Sequence, residues 1–364
     1  MKKVLLLIDS LCSGGAQRQL VGLAVLLKEY GYNVCIVDYW DIDFYDKYLH
    51  EKGVRFDHCV AKGKLNIIRE IRLAIKRERP NVVISYMEHP SIIACLIKIS
   101  HTTHPFHLIV SERNTSQANG RSEKVRFNLF RCADFVIPNS HSQKKFIKTN
   151  FPFLSDRTVT ITNYIDVNRF SPSESFDGIH NDELKVVMVG RVVEQKNPLR
   201  FLKAISIVKN KNPHLKFKVD WYGEPYPESY FQECLSLKKS LGLDDIVEFH
   251  PPTSDVVSVY RNSDIFILPS IYEGFPNVLC EAMSCGLPVL ASNVCDNPNI
   301  VADGENGLLF NPLSIDDMAE AISSMLTLPR QKLEEMGKKS RRIALEQFSE
   351  TQFLDSYISL IEKV

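Results

Sequence analysis

The chain has no apolar segment long enough to cross a bilayer. A membrane helix needs about 20 consecutive apolar residues, and Lys98 interrupts the best candidate, residues 91–99. The apolar run that opens the chain, Val4–Ile8, ends at Asp9 with no small-residue cleavage site after it, so it is interpreted as a strand and not as a signal peptide. We therefore expect a cytoplasmic protein, which argues against a two-lobed periplasmic ligand-binding protein.

Two further absences narrow the class of protein. The nine cysteines are scattered, odd in number and without a Cys-x-x-Cys pair, which argues against a disulfide framework and suits a reducing compartment. No Gly-x-Gly-x-x-Gly follows the first predicted strand, so a dehydrogenase is disfavoured. His101, His104 and His107 suggest a metal site, but Pro105 would break the helix that aligns them, and loop histidines are the better interpretation.

The net charge of zero conceals an asymmetry between the two halves of the chain. Residues 1–170 contain 25 Lys and Arg against 16 Asp and Glu, whereas residues 171–364 contain 19 against 28. The basic excess is concentrated in residues 62–79 and 121–148. The first half is expected to face an anionic partner, with ordinary fluctuation of charge as the alternative. Residues 62–79 form either a helix with a solvated basic face or a membrane contact.

The order of predicted elements indicates two α/β domains. A chain of 364 residues exceeds one ordinary core, and strands alternate with helices in both halves, which is typical of doubly wound parallel sheets. The polar segment 171–182 is the predicted linker. The predicted strands are Lys3–Asp9, Val34–Tyr39, Val82–Tyr86, Leu108–Ser111, Phe135–Pro138, Val159–Thr162, Leu184–Val189, Phe217–Tyr222, Ile246–His250, Ile265–Pro269 and Pro288–Ser292.

The loop after strand Leu184–Val189 has the composition of a diphosphate site. Ligands of doubly wound sheets bind beyond the carboxyl ends of the strands. Gly190 stands at the strand exit, and two cations, Arg191 and Lys196, follow just before a helix. A planar guanidinium and a mobile ammonium together suit the oxygens of a diphosphate.

The loop after strand Ile265–Pro269 is the second candidate. Gly274 allows a ligand to approach the backbone, and Pro276 and Asn277 begin a helix whose N-terminus favours a phosphate. Glu281 lies about one turn inside that helix, and its carboxylate suits paired hydroxyls such as those of a ribose. Glu273 stands immediately before the helix.

In their order and spacing, these motifs resemble the retaining glycosyltransferases of family 4, which have the GT-B fold. The resemblance covers nearly the whole chain. It implies two Rossmann-like doubly wound domains facing a central cleft. Residues 1–170, joined by a C-terminal helix 349–364, would form the acceptor-binding domain, and residues 171–348 would form the nucleotide-sugar-binding domain. The matching motifs are Gly190-Arg191 with Lys196, Glu273-x7-Glu281, Gly14-Gly15 with Arg18, Asn163-x2-Asp166-x3-Phe170, and Asn306-Gly307 with Leu309.

The resemblance implies a role for each matching residue. Arg191 and Lys196 would hold the donor diphosphate, Glu273 would face the donor sugar, and Glu281 would bind the ribose hydroxyls. With Glu273, Arg191 and Lys196 as the catalytic set, no metal and no cofactor is expected, because the protein supplies the positive charge. The implied donor-binding residues are Gly14, Gly15, Gly190, Arg191, Lys196, Glu273, Gly274, Phe275, Pro276, Asn277, Val278 and Glu281.

This sequence departs from the family pattern at the acceptor side. Many members have a His after the strand that ends here at Ser111, where this chain has Glu112 and Arg113. Glu112, Arg113 or the nearby His89 takes that place, and Arg18 is a further acceptor-side candidate. The family's usual Glu-Lys-Gly is Gln195-Lys196-Asn197 here, which keeps the cation.

The expected function is therefore transfer of a hexose-type sugar from a UDP or GDP donor to a glycan or a polyprenyl-diphosphate-linked saccharide. The process would be assembly of a cell-surface polysaccharide such as lipopolysaccharide or capsule. The expected place is the cytoplasm, with peripheral contact to the anionic inner face of the plasma membrane, and no nucleic-acid partner is expected. A GT-B sugar-nucleotide epimerase is the alternative. Asp41 and Asp43 resemble a metal-binding pair but are better read as a solvated loop.

Overall fold

The computed structural model describes residues 2–113, 119–173 and 183–364. The chain divides into two compact units, residues 1–164 with 350–364, and residues 165–349. Most of the predicted linker, residues 174–182, lies outside the described residues. Among the described helices, none combines the length and the apolar character that a bilayer crossing requires.

The first unit is built on one parallel sheet, as the alternation of elements predicts. Its order is third, second, first, fourth, fifth and sixth strand. The first strand shows why its sequence is continuously apolar: Val4 and Leu6 enter one core cluster, and Leu5 and Leu7 enter the cluster on the other face. The strands are β1 (Lys3–Leu7), β2 (Asn33–Asp38), β3 (Arg55–His58), β4 (Val82–Tyr86), β5 (His107–Glu112) and β6 (Phe135–Pro138).

Helices cover both faces of this sheet. The first of them ends at Gly31, which has φ +110°, a left-handed conformation that glycine adopts without strain. The third buries Ile71 and Ile75 against the sheet. The helices are α1 (Gly15–Tyr30), α2 (Asp46–Glu51), α3 (Lys64–Glu78), α4 (Glu88–Ser100), α5 (Arg121–Leu129) and α6 (His141–Asn150).

The second unit contains another six-stranded parallel sheet, of order β12-β11-β10-β7-β8-β9. Its strands are β7 (Leu184–Val189), β8 (Phe217–Tyr222), β9 (Val247–His250), β10 (Ile265–Leu268), β11 (Val289–Ser292) and β12 (Gly307–Phe310). Its helices are α7 (Pro198–Lys211), α8 (Glu228–Ser240), α9 (Val256–Arg261), α10 (Asn277–Ser284), α11 (Asn297–Ile300), α12 (Ile315–Leu326) and α13 (Arg330–Gln347). The last helix of the chain, α14 (Glu350–Ile361), belongs to the first unit.

Both sheets reverse their strand order at one point, between β1 and β4 in the first unit and between β7 and β10 in the second. The loops that leave neighbouring strands at such a point diverge to opposite faces and leave a crevice at the carboxyl edge, where ligands of doubly wound sheets bind. In the second unit, those loops follow β7 and β10, and they are the two loops in which the sequence predicts ligand-binding residues.

The predicted strands differ from the structure in three places. The sequence did not predict β3 and β12, which are four-residue edge strands, and β3 is too polar to be recognised by hydrophobicity. The predicted strand Val159–Thr162 is wrong. Its backbone N–H groups at Val159 and Ile161 donate to β6, but only an isolated bridge at Thr158 forms.

The chain passes from the first unit to the second after residue 164, slightly before the expected boundary at residue 170. Ile165, Val167 and Phe170 pack in the hydrophobic core of the second unit, so residues 165–170 belong there. The chain returns at α14, where Tyr357 Oη lies 2.8 Å from Tyr86 Oη and Phe353 packs on Tyr164. The last helix therefore completes the core of the first unit.

Candidate functional site

The candidate donor site lies where the second sheet reverses its order, at the carboxyl ends of β7 and β10. The exit of β7 is held closely by its neighbour β8. The indole Nε1–H of Trp221 donates to Gly190 O over 2.8 Å, and a Cβ at Gly223 would lie 2.0 Å from that same oxygen. The absence of a side chain at Gly223 therefore lets the two loops approach.

Asn197 stands where the family usually has the glycine of Glu-Lys-Gly, and the structure shows how asparagine replaces it. It has φ +63°, a left-handed conformation that glycine prefers and asparagine tolerates. Its buried side chain donates to Pro269 O over 3.2 Å and to Pro312 O over 2.8 Å. Asn197 therefore keeps the backbone turn that glycine would allow and also ties the β7 loop to the exit of β10.

Lys196 and Glu273, from the two different loops, form an ion pair. Lys196 Nζ lies 2.5 Å from Glu273 Oε1, and the hydroxyl of Ser270 donates to the same oxygen over 2.5 Å. Glu273 is buried, so its charge is stabilised by these two donors. Since an ammonium carries three protons, Lys196 can hold Glu273 and still offer a donor to a phosphate.

Backbone and side-chain bonds join the same two loops at their surface. Ile271 N donates to Gln195 O, and Gln195 Nε2 donates to Tyr272 O, each over 2.8 Å. Arg191, in contrast, is exposed, and its guanidinium makes no hydrogen bond or ion pair with any residue in the described ranges. The site thus combines a paired cation with a cation available to a ligand.

The start of α10 is positioned by an aromatic anchor. Phe275 is buried and packs edge-on against Phe348, with 5.6 Å between ring centroids. This holds the preceding residue, Gly274, beside the helix start at Asn277, with Pro276 before it and Val278 in the first turn. The first turn of a helix presents backbone N–H groups that suit an anion.

Glu281 lies inside α10 and is buried. Its Oε2 is 3.3 Å from the hydroxyl of Tyr260 on α9, which also lies 3.4 Å from Val278 O. The predicted ribose-binding carboxylate is therefore oriented by a tyrosine that the sequence did not indicate, because α9 carries no recognisable motif.

Cys295 is a second residue that the sequence analysis missed. The backbone N–H of Glu273 donates to its Sγ over 3.5 Å, and Cys295 has φ +50°, which is uncommon for a residue other than glycine. Burial raises the pKa of this thiol. Cys295 therefore supports the backbone of Glu273 as a neutral thiol.

In the first unit, Gly14 and Gly15 begin α1 at the exit of β1. A Cβ at Gly14 would lie 2.2 Å from Gln17 Oε1, so that side chain would have to move. Gln17 Nε2 in turn lies 3.3 Å from Asp9 Oδ1, and the Arg18 backbone N–H donates to Gly14 O. The glycine loop and Arg18 thus lie at the edge where the order of the first sheet reverses.

Two of the acceptor-side candidates are buried. Arg113 donates to Asn163 Oδ1 over 2.8 Å and to the hydroxyls of Tyr86 and Tyr357 over 2.8 and 2.6 Å. It joins β5 to α14, which is a structural role. Burial raises the pKa of Glu112 to about 7, although Arg126 Nη2 lies 3.4 Å from its carboxylate.

His89 is exposed and lies in the first turn of α4, directly after β4. Its imidazole makes no hydrogen bond or ion pair with a described residue. Because β4 and β1 flank the point of reversal, His89 and the Gly14-Gly15 loop leave the sheet at the same place. Of the three residues considered for the place of the family His, only His89 presents an accessible side chain.

Among the described residues, one group of three potential metal ligands lies close together: Asp220, Glu248 and His250, on β8 and β9. His250 Nε2 is hydrogen-bonded to Asp220 Oδ1 over 2.8 Å. The analysis of the sequence did not identify this group. Among these residues, neither the loop histidines nor Asp41 and Asp43 form such a group, and His107 Nδ1 is hydrogen-bonded to Asp134 Oδ1.

Comparison with known proteins defines the class. A family model described as Glycosyltransferase Family 4 matches residues 13–169, and one described as Glycosyl transferases group 1 matches residues 172–343. Together these ranges span most of the chain. The chain belongs to the group 1, family 4 glycosyltransferases.

Individual relatives agree with this assignment. A D-inositol 3-phosphate glycosyltransferase from Thermobifida fusca is 29% identical over 253 residues, which are 64% of this chain but only 58% of that protein. An uncharacterized glycosyltransferase from Haemophilus influenzae is 23% identical over 351 residues, covering 94% of this chain and 95% of the relative. Since these relatives are glycosyltransferases, the epimerase alternative is not favoured.

The structural comparison confirms the predicted fold class. Anabaena HepE in complex with UDP superposes with a TM-score of 0.86 at 18% identity, covering all of both chains. The same protein in complex with UDP-glucose gives a TM-score of 0.83. The fold is α/β of the GT-B type, with two doubly wound Rossmann-like sheets.

Proposed function

We propose that this chain is a retaining hexosyltransferase that moves a sugar from a nucleotide diphosphate to a glycan or lipid-linked saccharide during assembly of a cell-surface polysaccharide. The observation that carries the proposal is the pair of loops at the reversal of the second sheet. They bring an unpaired Arg191 and the Lys196–Glu273 pair to the carboxyl edge where such sheets bind ligands.

The chemistry follows from these charges. The bond between the sugar C1 and the diphosphate oxygen breaks while the acceptor oxygen bonds to C1 on the same face. The acceptor proton passes to the departing phosphate oxygen. Arg191, Lys196 and the N-terminus of α10 stabilise the negative charge that develops on the diphosphate. In this proposal, Glu273 faces the sugar, and Glu281 binds the ribose hydroxyls.

A nucleotide screen tests the donor. UDP, GDP and their common sugars are added to the full chain, and the melting temperature is measured. We expect a rise with one of the diphosphate nucleotides, since a ligand that binds only the folded state stabilises it. UDP is the first candidate because the Anabaena neighbour binds it. No shift with any of these nucleotides would contradict the proposal.

Product analysis with the donor sugar alone separates the proposal from the epimerase alternative. A transferase given no acceptor should release nucleotide only by slow hydrolysis, whereas an epimerase would convert the nucleotide sugar. Accumulation of an epimeric nucleotide sugar would therefore overturn the assignment.

Chelation tests the expected independence from metal. We expect turnover with the identified donor to survive EDTA, because Arg191, Lys196 and the α10 N-terminus supply positive charge where other transferases use a divalent ion. The control is the same assay with added magnesium or manganese. Complete loss with EDTA and recovery with either metal would favour an ion held by acidic residues such as Asp41 and Asp43.

Membrane contact of the first unit is proposed from its surface charge. The basic residues of α3 are exposed, whereas Ile71 and Ile75 face the sheet, so α3 packs on the core and also presents a basic face. Arg126 does not add to that surface because it is buried and paired with Glu88 over 2.7 Å. An anionic bilayer, reached from the cytoplasmic side, fits the remaining charge.

Vesicle co-sedimentation tests this contact. We expect binding to increase with anionic lipid content and to fall with salt, with each cation near the surface contributing about 1 kcal/mol. The double variant Lys64→Gln and Arg72→Gln should bind less, whereas Lys332→Gln with Lys338→Gln, on α13 of the second unit, should not change binding. Equal, salt-insensitive binding to neutral and anionic vesicles would favour a soluble acceptor.

A further inference from the structure

Exposed aromatic side chains are concentrated in the segment between β2 and α2 and in α2 itself. Trp40 is 50% exposed, Phe44 58% and Tyr48 42%, with Ile42 beside them in sequence. The other tryptophan of the chain, Trp221, is completely buried. Exposed apolar side chains concentrated in one short segment are typical of a binding surface. We call residues 40–48 the aromatic loop.

The aromatic loop leaves the sheet at its ligand-binding edge. It follows the carboxyl end of β2, which is the neighbour of β1. The backbone N–H of Trp40 donates to Asp9 O over 3.0 Å, and Trp40 forms a bridge with Ser10. Ser10 begins the loop that leads to Gly14 and Gly15. Trp40 is therefore anchored beside the glycine loop of the first unit.

The base of the aromatic loop is closed by one histidine. His58, at the end of β3, has its Nδ1 2.7 Å from Asp38 Oδ1 and its Nε2 3.0 Å from Asp46 Oδ2. Asp38 precedes the exposed segment and Asp46 begins α2, so a single imidazole joins the two ends of residues 39–45. A loop that is held in this way loses less entropy when it binds.

The charge of the aromatic loop distinguishes between possible ligands. Asp41 and Asp43 are both exposed between the aromatic residues. Carboxylates repel an anionic lipid surface, but they accept hydrogen bonds from hydroxyl groups. An aromatic face packs on the apolar C–H face of a sugar ring, and the ring's hydroxyls remain at its edge. Aromatic and acidic side chains together therefore suit an uncharged saccharide.

We propose that the aromatic loop binds a neutral saccharide unit of the acceptor, with Trp40 as the stacking surface and Asp41 and Asp43 as hydroxyl acceptors. This rests on the proposed glycosyltransferase function, in which the first unit takes the acceptor. His58 is a positioning residue for the loop. Phosphate or lipid parts of the acceptor would lie elsewhere, on the basic surface of the same unit.

The test is a titration of the full chain, without nucleotide, with neutral hexose trisaccharides of α and β linkage, such as maltotriose and cellotriose, followed by calorimetry and tryptophan fluorescence. We expect saturable binding of at least one of them, with a change in the emission of Trp40. Trp40→Ala should weaken that binding about tenfold or more, as expected for loss of a stacked aromatic contact. Trp40→Phe should retain most of the affinity.

A matched control is Tyr30→Ala. Tyr30 is 61% exposed on the same unit but ends α1, just before β2 begins, and therefore lies at the opposite, amino-terminal edge of the sheet. This variant should bind the saccharide normally. Asp41→Asn with Asp43→Asn should weaken binding, and His58→Ala should weaken it without abolishing the nucleotide-induced rise in melting temperature.

The proposal is overturned if none of the trisaccharides binds or if Trp40→Ala binds them like the unsubstituted chain. It is also overturned if Trp40 emission responds to vesicles of neutral phosphatidylcholine and not to saccharide, which would make the aromatic loop a membrane contact. Failure of the donor proposal is distinguishable, because it would abolish the nucleotide response and leave the saccharide titration unchanged.

Discussion

Arg191→Ala is expected to weaken binding of the nucleoside diphosphate by about 2–3 kcal/mol, the size of a lost charge-assisted contact. Arg191 is exposed and has no partner among the described residues, so its removal leaves no buried charge unpaired. The loss should therefore appear in the dissociation constant measured by calorimetry and not in the stability of the chain.

Lys196→Ala should also weaken the nucleotide, but for this variant the melting temperature should fall as well. Its partner Glu273 is buried, and removal of the ammonium leaves that carboxylate with fewer donors. Lys203→Ala, an exposed lysine on the adjacent α7, is the matched control and should change neither quantity. Unchanged nucleotide affinity in both Arg191→Ala and Lys196→Ala would contradict the assignment of the diphosphate site.

Glu273→Gln should lower kcat by about 10²–10³ while changing nucleotide affinity far less, because its proposed partner is the sugar being transferred. The amide keeps the size of the side chain and can still accept from Ser270, so the loop should remain in place. The measurement is steady-state kinetics with the identified donor, together with calorimetry of the nucleotide alone.

Comparison with Glu281→Gln separates the roles of the two glutamates. If Glu281 binds the ribose, its substitution should weaken the nucleotide itself, and Tyr260→Phe should do so to a smaller degree through the lost hydroxyl that orients the carboxylate. The same kinetic defect in Glu273→Gln and Glu281→Gln would show that the two glutamates do not have the separate roles proposed here.

Much of the fold could be predicted from local patterns. The continuous apolar run of β1 is recognisable because both of its faces are buried, and the helix ending at Gly31 because a left-handed residue favours glycine. β3 and β12 could not be found in this way. They are short edge strands, and hydrogen bonding to a neighbour defines them more than their own composition does.

The candidate donor site was also accessible from the sequence, since its residues lie in two continuous loops that each follow a strand. The contacts between the residues of these two loops could not be predicted from the sequence. Lys196 and Glu273 are 77 residues apart and meet because β7 and β10 are neighbours, which depends on the strand order. Tyr260 and Cys295 come from elements without a motif, and only packing brings them to Glu281 and Glu273.

The acceptor-side candidates show most clearly what local sequence patterns cannot predict. From position alone, Glu112, Arg113 and His89 were equivalent candidates. Burial distinguishes them: Arg113 is held by hydroxyls of β4 and of α14, a helix more than 200 residues away, while His89 remains exposed. Residue types and their spacing determined the class of fold and the two loops of the candidate donor site, because those depend on neighbours along the chain. Tertiary structure alone decided which polar side chains are accessible, because burial depends on segments that are distant in sequence.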